Sequence, residues 1–447
     1  MSNLVDKLKK NATLRKILKK TNVNKIVSEN KTNILLLTNR DSDNLGDQVI
    51  EACDIALITA VMKNLNVPAY KYTIKSSEAS IINQKYMNTQ DERYLKNALK
   101  LIEQADVIVI GGAPMFNYKY QDFYKRTAIT IELAKKYNKP LLFSAIGIES
   151  YGEEDTKCQY LKERLNQSPV KQITTRDDFD ALQKYIYNPQ IKIQKVADPA
   201  VFSEDVFSPF CVKKKKKKTI GIFILRANGF RSNKIDFNYA DSIQLWTDLI
   251  QKLKDAGYDY ELITSGHFGD EAFMDYMIRE GHVPYSKCVF NMNTPEKMIK
   301  KISSYHAIIS CRLHPSIISY ALKVPSLGVV WNTKVKGFYD SIGYGDRIIS
   351  TDHIDTDAIV SKIDQIIEEG VHRDSDYQMT VYQTLFDGIK SSLFPEKEKT
   401  PYTYEELIQN IEPYAGTSET ELDNKLRRKF RRAYKEYNHL YMKKLMK

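Results

Sequence analysis

NILLLT (33–38), NRDSDNLGD (39–47) and VIEACDIALITAVMKNL (49–65) run in close succession near the start of the chain. The first holds four consecutive apolar residues and suits a strand covered on both faces. The second is rich in Asp, Asn and Gly, the residues of a loop. The third spaces its apolar residues as a helix does. Strand, loop and helix in that order are the unit of an open parallel sheet. Further along, ADVIVIGG (105–112) and PLLFSAIG (140–147) are further strands, and IKIQKVADPA (191–200) reads as the last of this half. Six lysines (213–218) then interrupt the pattern as a solvated linker. A second series follows in TIGIFIL (219–225), YELITSG (260–266), HAIISCRLHP (306–315) and PSLGVVW (325–331). The expectation is an α/β chain of two Rossmann-like domains, 32–210 and 219–395, with a cleft between them. Basic extensions at 1–31 and 396–447 flank them.

With 447 residues, 42% of them hydrophobic, the chain has enough apolar material for two cores. No stretch approaches the roughly 20 apolar residues of a membrane span, and no secretory signal is read at the Lys-rich N-terminus. Cys53, Cys158, Cys211, Cys288 and Cys311 are odd in number and scattered. Reduced thiols and a cytoplasmic location are therefore expected. The net charge of +11 is concentrated at the ends, so the body between them is mildly acidic. That argues against a nucleic-acid enzyme with a basic cleft and leaves the ends to meet an anionic surface. Residues 418–447 read as an amphipathic helix, with Leu422, Leu426, Phe430, Tyr434, Tyr437 and Tyr441 recurring at steps of three or four. Two readings stand: a solvated or packing extension, or attachment at the inner face of the cell membrane.

Ligands of open α/β sheets bind beyond the carboxyl ends of strands. Arg312 and His314 lie where AIIS (307–310) gives way to an apolar helix that Pro315 can start. If that connection is extended, both side chains share one face. A guanidinium, an imidazole and a helix N-terminus make an anion site with a titratable group in it. Each also has a plain structural account, a surface ion pair for Arg312 and a capping role for His314. In the first loop Gly46 permits a tight turn and Asp47 sits where it could cap the helix, or act as a base beside a ligand held by Asn44. Gly111 and Gly112 follow a buried strand and imply close backbone approach. Arg176 follows a short strand, with Asp177 as a neighbouring structural partner. Lys334 follows PSLGVVW. Together Arg176, Arg312, His314 and Lys334 suit a small ligand bearing phosphate and carboxylate.

In the order NLGD (44–47), IGGAPMF (110–116), FSAIGI (143–148), TTRDDFD (174–180), ADPA (197–200), CRLHP (311–315) and WNTK (331–334), the chain resembles the polysaccharide pyruvyl transferase family. The resemblance implies a GT-B-like fold and transfer of a pyruvyl unit from phosphoenolpyruvate to a sugar of a cell-surface polysaccharide or its lipid-linked precursor. It makes His314 the general acid/base and puts Arg312 and Arg176 on the donor's phosphate and carboxylate. Lys334 matches the family's lysine, and Asn44 and Asp47 face the acceptor. Two positions depart from the pattern: Ala113 follows Gly111 and Gly112 where the family has a third glycine, and Trp331 replaces the usual tyrosine. The scheme needs no metal and no cofactor beyond phosphoenolpyruvate as donor substrate, and no nucleic-acid partner. Two other readings of the residues are a nucleotide-sugar GT-B glycosyltransferase and a non-catalytic member of an envelope-polymer assembly. The first lacks an acidic ribose-binding residue near 312–322.

Overall fold

The structure, a computed structural model, describes residues 31–119, 123–226, 229–230, 235, 238–351 and 354–445. The basic segment 1–30 lies outside the described residues.

Strand β1 (Thr32–Thr38) pairs with β2 (Tyr72–Glu78) on one side and β3 (Val107–Gly111) on the other. The sheet continues through β4 (Leu141–Ile146), β5 (Val170–Thr175) and β6 (Lys192–Lys195), in the order β2-β1-β3-β4-β5-β6. The second half contributes β7 (Thr219–Phe223), β8 (Asp259–Ile263), β9 (Cys288–Val289), β10 (Ala307–Ser310), β11 (Ser326–Val330) and β12 (Ile348–Ser350). Their order is β12-β11-β10-β7-β8-β9. Every pairing is parallel. Strand order therefore reverses between β1 and β3 in one sheet and between β7 and β10 in the other, the places where such folds open a crevice.

Seven helices position the site. They are α1 (Leu45–Asn64), α2 (Phe268–Arg279), α3 (Pro295–Ser304), α4 (Leu313–Ala321), α5 (Thr333–Ser341), α6 (Ser375–Leu393) and α7 (Glu419–Leu445). Helix α1 is apolar nearly all round, which marks a helix enclosed on every side. It packs against α3, α4 and α6, and one core cluster runs through all four and joins the two domains. A separate core fills the outer face of each sheet.

Three expectations change. Strand β6 ends at Lys195, and ADPA is a helical turn at Pro199–Phe202 capped by Asp198, because Pro199 has no N–H to give a ladder. The second domain does not run to 395: α6 crosses back and packs on α1 and β4 of the first. Nor is 396–418 a tail. The Lys63 ammonium donates to the Asn410 carbonyl, Asn64 donates to that of Thr400, and the Tyr414 N–H donates to that of Val206 at 2.7 Å. These contacts anchor the segment to the first domain. Among the described residues no helix is long and apolar enough to cross a membrane.

Candidate active site

The turn from β10 into α4 does not stay extended. Helix α4 begins at Leu313, so Arg312 is its N-cap and His314 lies in its first turn. The two side chains therefore diverge and do not share a face. Pro315 is tolerated at the third position because the first N–H groups of a helix have no partner inside it.

His314 is buried against the NLGD loop. A Cβ on Gly46 would stand 2.2 Å from the His314 ring, so only glycine leaves room for the imidazole there. Asn44 is the N-cap of α1; its Oδ1 accepts from the Gly46 N–H at 3.3 Å. That turns its amide Nδ2 toward His314 Nδ1, 3.0 Å away. Nδ2 can only donate, so Nδ1 accepts and the proton of the neutral ring sits on Nε2. Nε2 has no partner among the described residues. Burial, and then the charges of Arg176, Lys334 and Arg312, hold the imidazole pKa well below its ordinary value.

Arg176 emerges from the end of β5, its side chain only 8% exposed. It pairs with Asp198, the cap of the ADPA turn, and not with its neighbour Asp177. Its Nε–H is buried without a partner among the described residues. Asp177 instead accepts from Lys334 Nζ at 3.0 Å and from the Ile148 N–H at 3.1 Å. Arg176, Lys334, Asp177 and Asp198 line a cavity of about 890 Å³ between the domains, with Leu313 and Ile317 of α4 in its wall. His314 does not line this cavity, but it lies near enough to Arg176 and Lys334 for both charges to act on its imidazole.

Arg312 is not among the groups lining that cavity. Its Nε and Nη2 both donate to Asp270 of α2, at 3.1 and 2.5 Å, and Asp270 is fully buried. Arg226 approaches the other oxygen of Asp270 at 3.5 Å and lies 2.8 Å from His267 Nδ1. In this second cluster two guanidinium groups share one buried carboxylate. Burial is the main cause that lowers the His267 pKa to about 4.

Asp47 is not the cap either. It sits in the first turn of α1 and accepts from Ser42 Oγ at 2.5 Å and Asn39 Nδ2 at 3.0 Å. Burial raises its pKa to about 6. Ser42, Asn44, His267 and Phe268 line a second hollow of about 520 Å³, in which the rings of His267 and Phe268 lie parallel at 5.2 Å. Gly111 and Gly112 do admit a close approach, but of helix α1 and not of a ligand. A Cβ on Gly111 would stand 2.1 Å from the Asp54 carboxyl, and one on Gly112, at φ +56°, 2.4 Å from Ile50. Trp331 donates its indole N–H to the Cys311 carbonyl and carries Arg312 5.9 Å from its ring.

Sequence reasoning missed Asp198, Asp270, His267 and Ser42 as partners. Asp198 and Ser42 stood inside quoted motifs, so proximity to the motif was the available signal. Asp270 and His267 open a helix, with acidic residues in its first turn, and nothing local tied them to Arg312.

The sequence model of the polysaccharide pyruvyl transferase family matches residues 13–333. No curated protein matches the chain. Among solved structures, a Listeria monocytogenes protein described as a UDP-N-acetylglucosamine 2-epimerase superposes with a TM-score of 0.53 at 9% identity, over 83% of this chain and 99% of that one. An S. aureus protein, MnaA with UDP, gives a TM-score of 0.49 at 12% identity, over 83% and 99%. The first of these likenesses supports the two-domain GT-B-like fold.

Proposed function

This chain belongs to the polysaccharide pyruvyl transferase family, and we propose that it takes the pyruvyl unit from phosphoenolpyruvate and delivers it to a sugar of a cell-surface polysaccharide or of its lipid-linked precursor. The observation that carries the donor assignment is a pair of buried N–H donors without a partner among the described residues, Arg176 Nε and His314 Nε2, with the Lys334 ammonium close enough to depress the imidazole pKa. Buried donors left unmade cost free energy, which an anionic ligand would recover. A molecule carrying a carboxylate and a phosphate supplies acceptors for all three groups.

In the reaction, a proton added at C3 of the enol phosphate makes C2 electrophilic. A sugar hydroxyl attacks C2, phosphate leaves, and a second hydroxyl closes the ketal. Arg176 and Lys334 hold the donor's charges and stabilise the departing phosphate. His314 is neutral in the free protein. Negative charge brought between it and the surrounding cations offsets their repulsion and raises its pKa. The imidazolium then becomes accessible only when donor is bound, and its proton is available for C3. For Nδ1 to carry a proton, the Asn44 amide must turn its oxygen toward the ring. Asp47 is mostly ionised at neutral pH and can draw the acceptor hydroxyl's proton through Ser42, which lines the second hollow. Arg312, clamped to Asp270, fixes the turn on which His314 stands.

The test is a thermal shift with phosphoenolpyruvate against UDP-sugars, followed by phosphate release with a panel of hexose and N-acetylhexosamine acceptors. Stabilisation by phosphoenolpyruvate and acceptor-dependent phosphate release are expected. Stabilisation by a UDP-sugar alone would move the chain to nucleotide-sugar chemistry.

A further inference from the structure

Helix α7 holds to the body by its cations. Lys425 donates to Gln48 at 2.5 Å and Arg432 Nη1 lies 3.0 Å from Asp43, both on the first domain. Between them Lys429 reaches Glu271 of α2 at 2.7 Å, on the second domain. Residues three and four apart share a side of a helix, so this is one docking stripe that bridges the two domains. It lies beyond residue 333, where the family match ends.

The apolar residues of α7 are therefore not its packing face. Phe430, Tyr434 and Tyr437 are 72%, 58% and 63% exposed, with Leu426 and Tyr441 exposed in line with them. A contiguous exposed apolar row marks an interaction surface. Arg427, Arg431 and Lys435 follow one another at steps of four along a third, exposed side. Rings with polar tips beside a cationic row are what a helix lying in a membrane interface presents, rings at headgroup depth and cations toward anionic headgroups. A second copy of the chain fits this face less well. Residues 425–447 carry ten Lys/Arg against one acid, so two such helices would repel.

We infer that α7 is a clasp with two working sides: the Lys425–Lys429–Arg432 side holds the domains together, and the Phe430–Tyr434–Tyr437 side lies on an anionic membrane leaflet. Arg432 also lines the hollow that contains Ser42 and Asn44, so attachment brings that hollow close to the leaflet. The inference stands independently of the donor assignment, since binding is measured with neither donor nor acceptor.

The experiment is sedimentation of the full chain with vesicles of phosphatidylcholine alone or mixed with phosphatidylglycerol. It compares the wild type with a Phe430→Ser/Tyr434→Ser/Tyr437→Ser variant and with an Arg427→Gln/Arg431→Gln/Lys435→Gln variant. The wild type should sediment with the mixed vesicles and not with phosphatidylcholine alone. Each variant should bind about tenfold more weakly or worse, with an unchanged melting temperature because the altered side chains are exposed. A wild type that ignores the mixed vesicles overturns the inference. So does an aromatic variant that binds like the wild type, which would make the surface a general polyanion site. Light scattering that shows a dimer abolished by the aromatic substitutions would assign the face to a second copy.

Discussion

Arg176 and Arg312 occupy equivalent places, each following the end of a parallel strand beside the interdomain space, yet they are left in opposite states. Arg176 is the more deeply buried, at 8% against 19% exposure, but keeps one N–H without a partner among the described residues. Arg312 gives two donors to Asp270, and Arg226 shares the same carboxylate. An arginine whose donors are taken up by a carboxylate holds the fold, whereas an arginine with an unmade hydrogen bond has binding capacity left over. A guanidinium at a strand end is therefore not in itself evidence of a ligand; the state of its donors decides.

Removing the group that stands between these clusters has the largest expected effect. His314→Ala should lower acceptor-dependent phosphate release by about 100- to 10,000-fold while the protein stays folded by circular dichroism; a folded, active variant removes His314 from the chemistry. The comparison itself is tested by the same change at both arginines. Arg176→Lys keeps a charge against Asp198 but loses the unpartnered Nε–H, and should raise the donor KM by about tenfold. Arg312→Lys should leave the donor KM near wild type. Equal effects on KM would place both arginines on the donor.

Truncation separates them in stability. Arg312→Ala leaves the buried Asp270 with Arg226 as its nearest cation, and should cost about 3 kcal/mol in urea unfolding. A loss under 1 kcal/mol would mean that the Arg312–Asp270 pair contributes little to the fold. Asp47→Asn gives a smaller effect whose sign depends on pH. Between pH 3.8 and about 6 folded Asp47 retains a proton that the unfolded chain has lost. The wild type therefore loses stability as pH rises through that window, by at most about 2–3 kcal/mol. The variant should be more stable than wild type above pH 6, and the gain should vanish below pH 4. A gain that persists below pH 4 would come from another source.

The smallest effect concerns the imidazole. Asn44→Asp places a carboxylate on Nδ1 and should shift the pH profile of kcat/KM toward alkaline values by about one unit. An unmoved profile would mean that Asn44 does not set the protonation of His314.

Much of the fold was legible because parallel strands covered on both faces must be apolar along their length, as ILLL (34–37) and VIVI (107–110) are. Strand ends also singled out Arg176, His314 and Lys334, which the fold brings into one neighbourhood. The extended reading of 312–314 failed because α4 begins two residues before Pro315, and the helical turn sends the neighbouring side chains apart. The glycines of IGGAPMF misled for a related reason. Close approach is legible in a glycine, but not what approaches.

By itself the sequence determined two parallel sheets, the loops at their strand ends, and an amphipathic helix across 418–447. These depend on periodicity and composition, which are local. Only the tertiary structure decided that Asp270, 42 residues away, takes up Arg312, that Asp198 takes Arg176, that α6 returns to the first domain, and that α7 docks by its lysines and leaves its rings exposed. Charge pairing and packing partners depend on distance in space, and separation along the chain says little about which of many carboxylates a given guanidinium will meet.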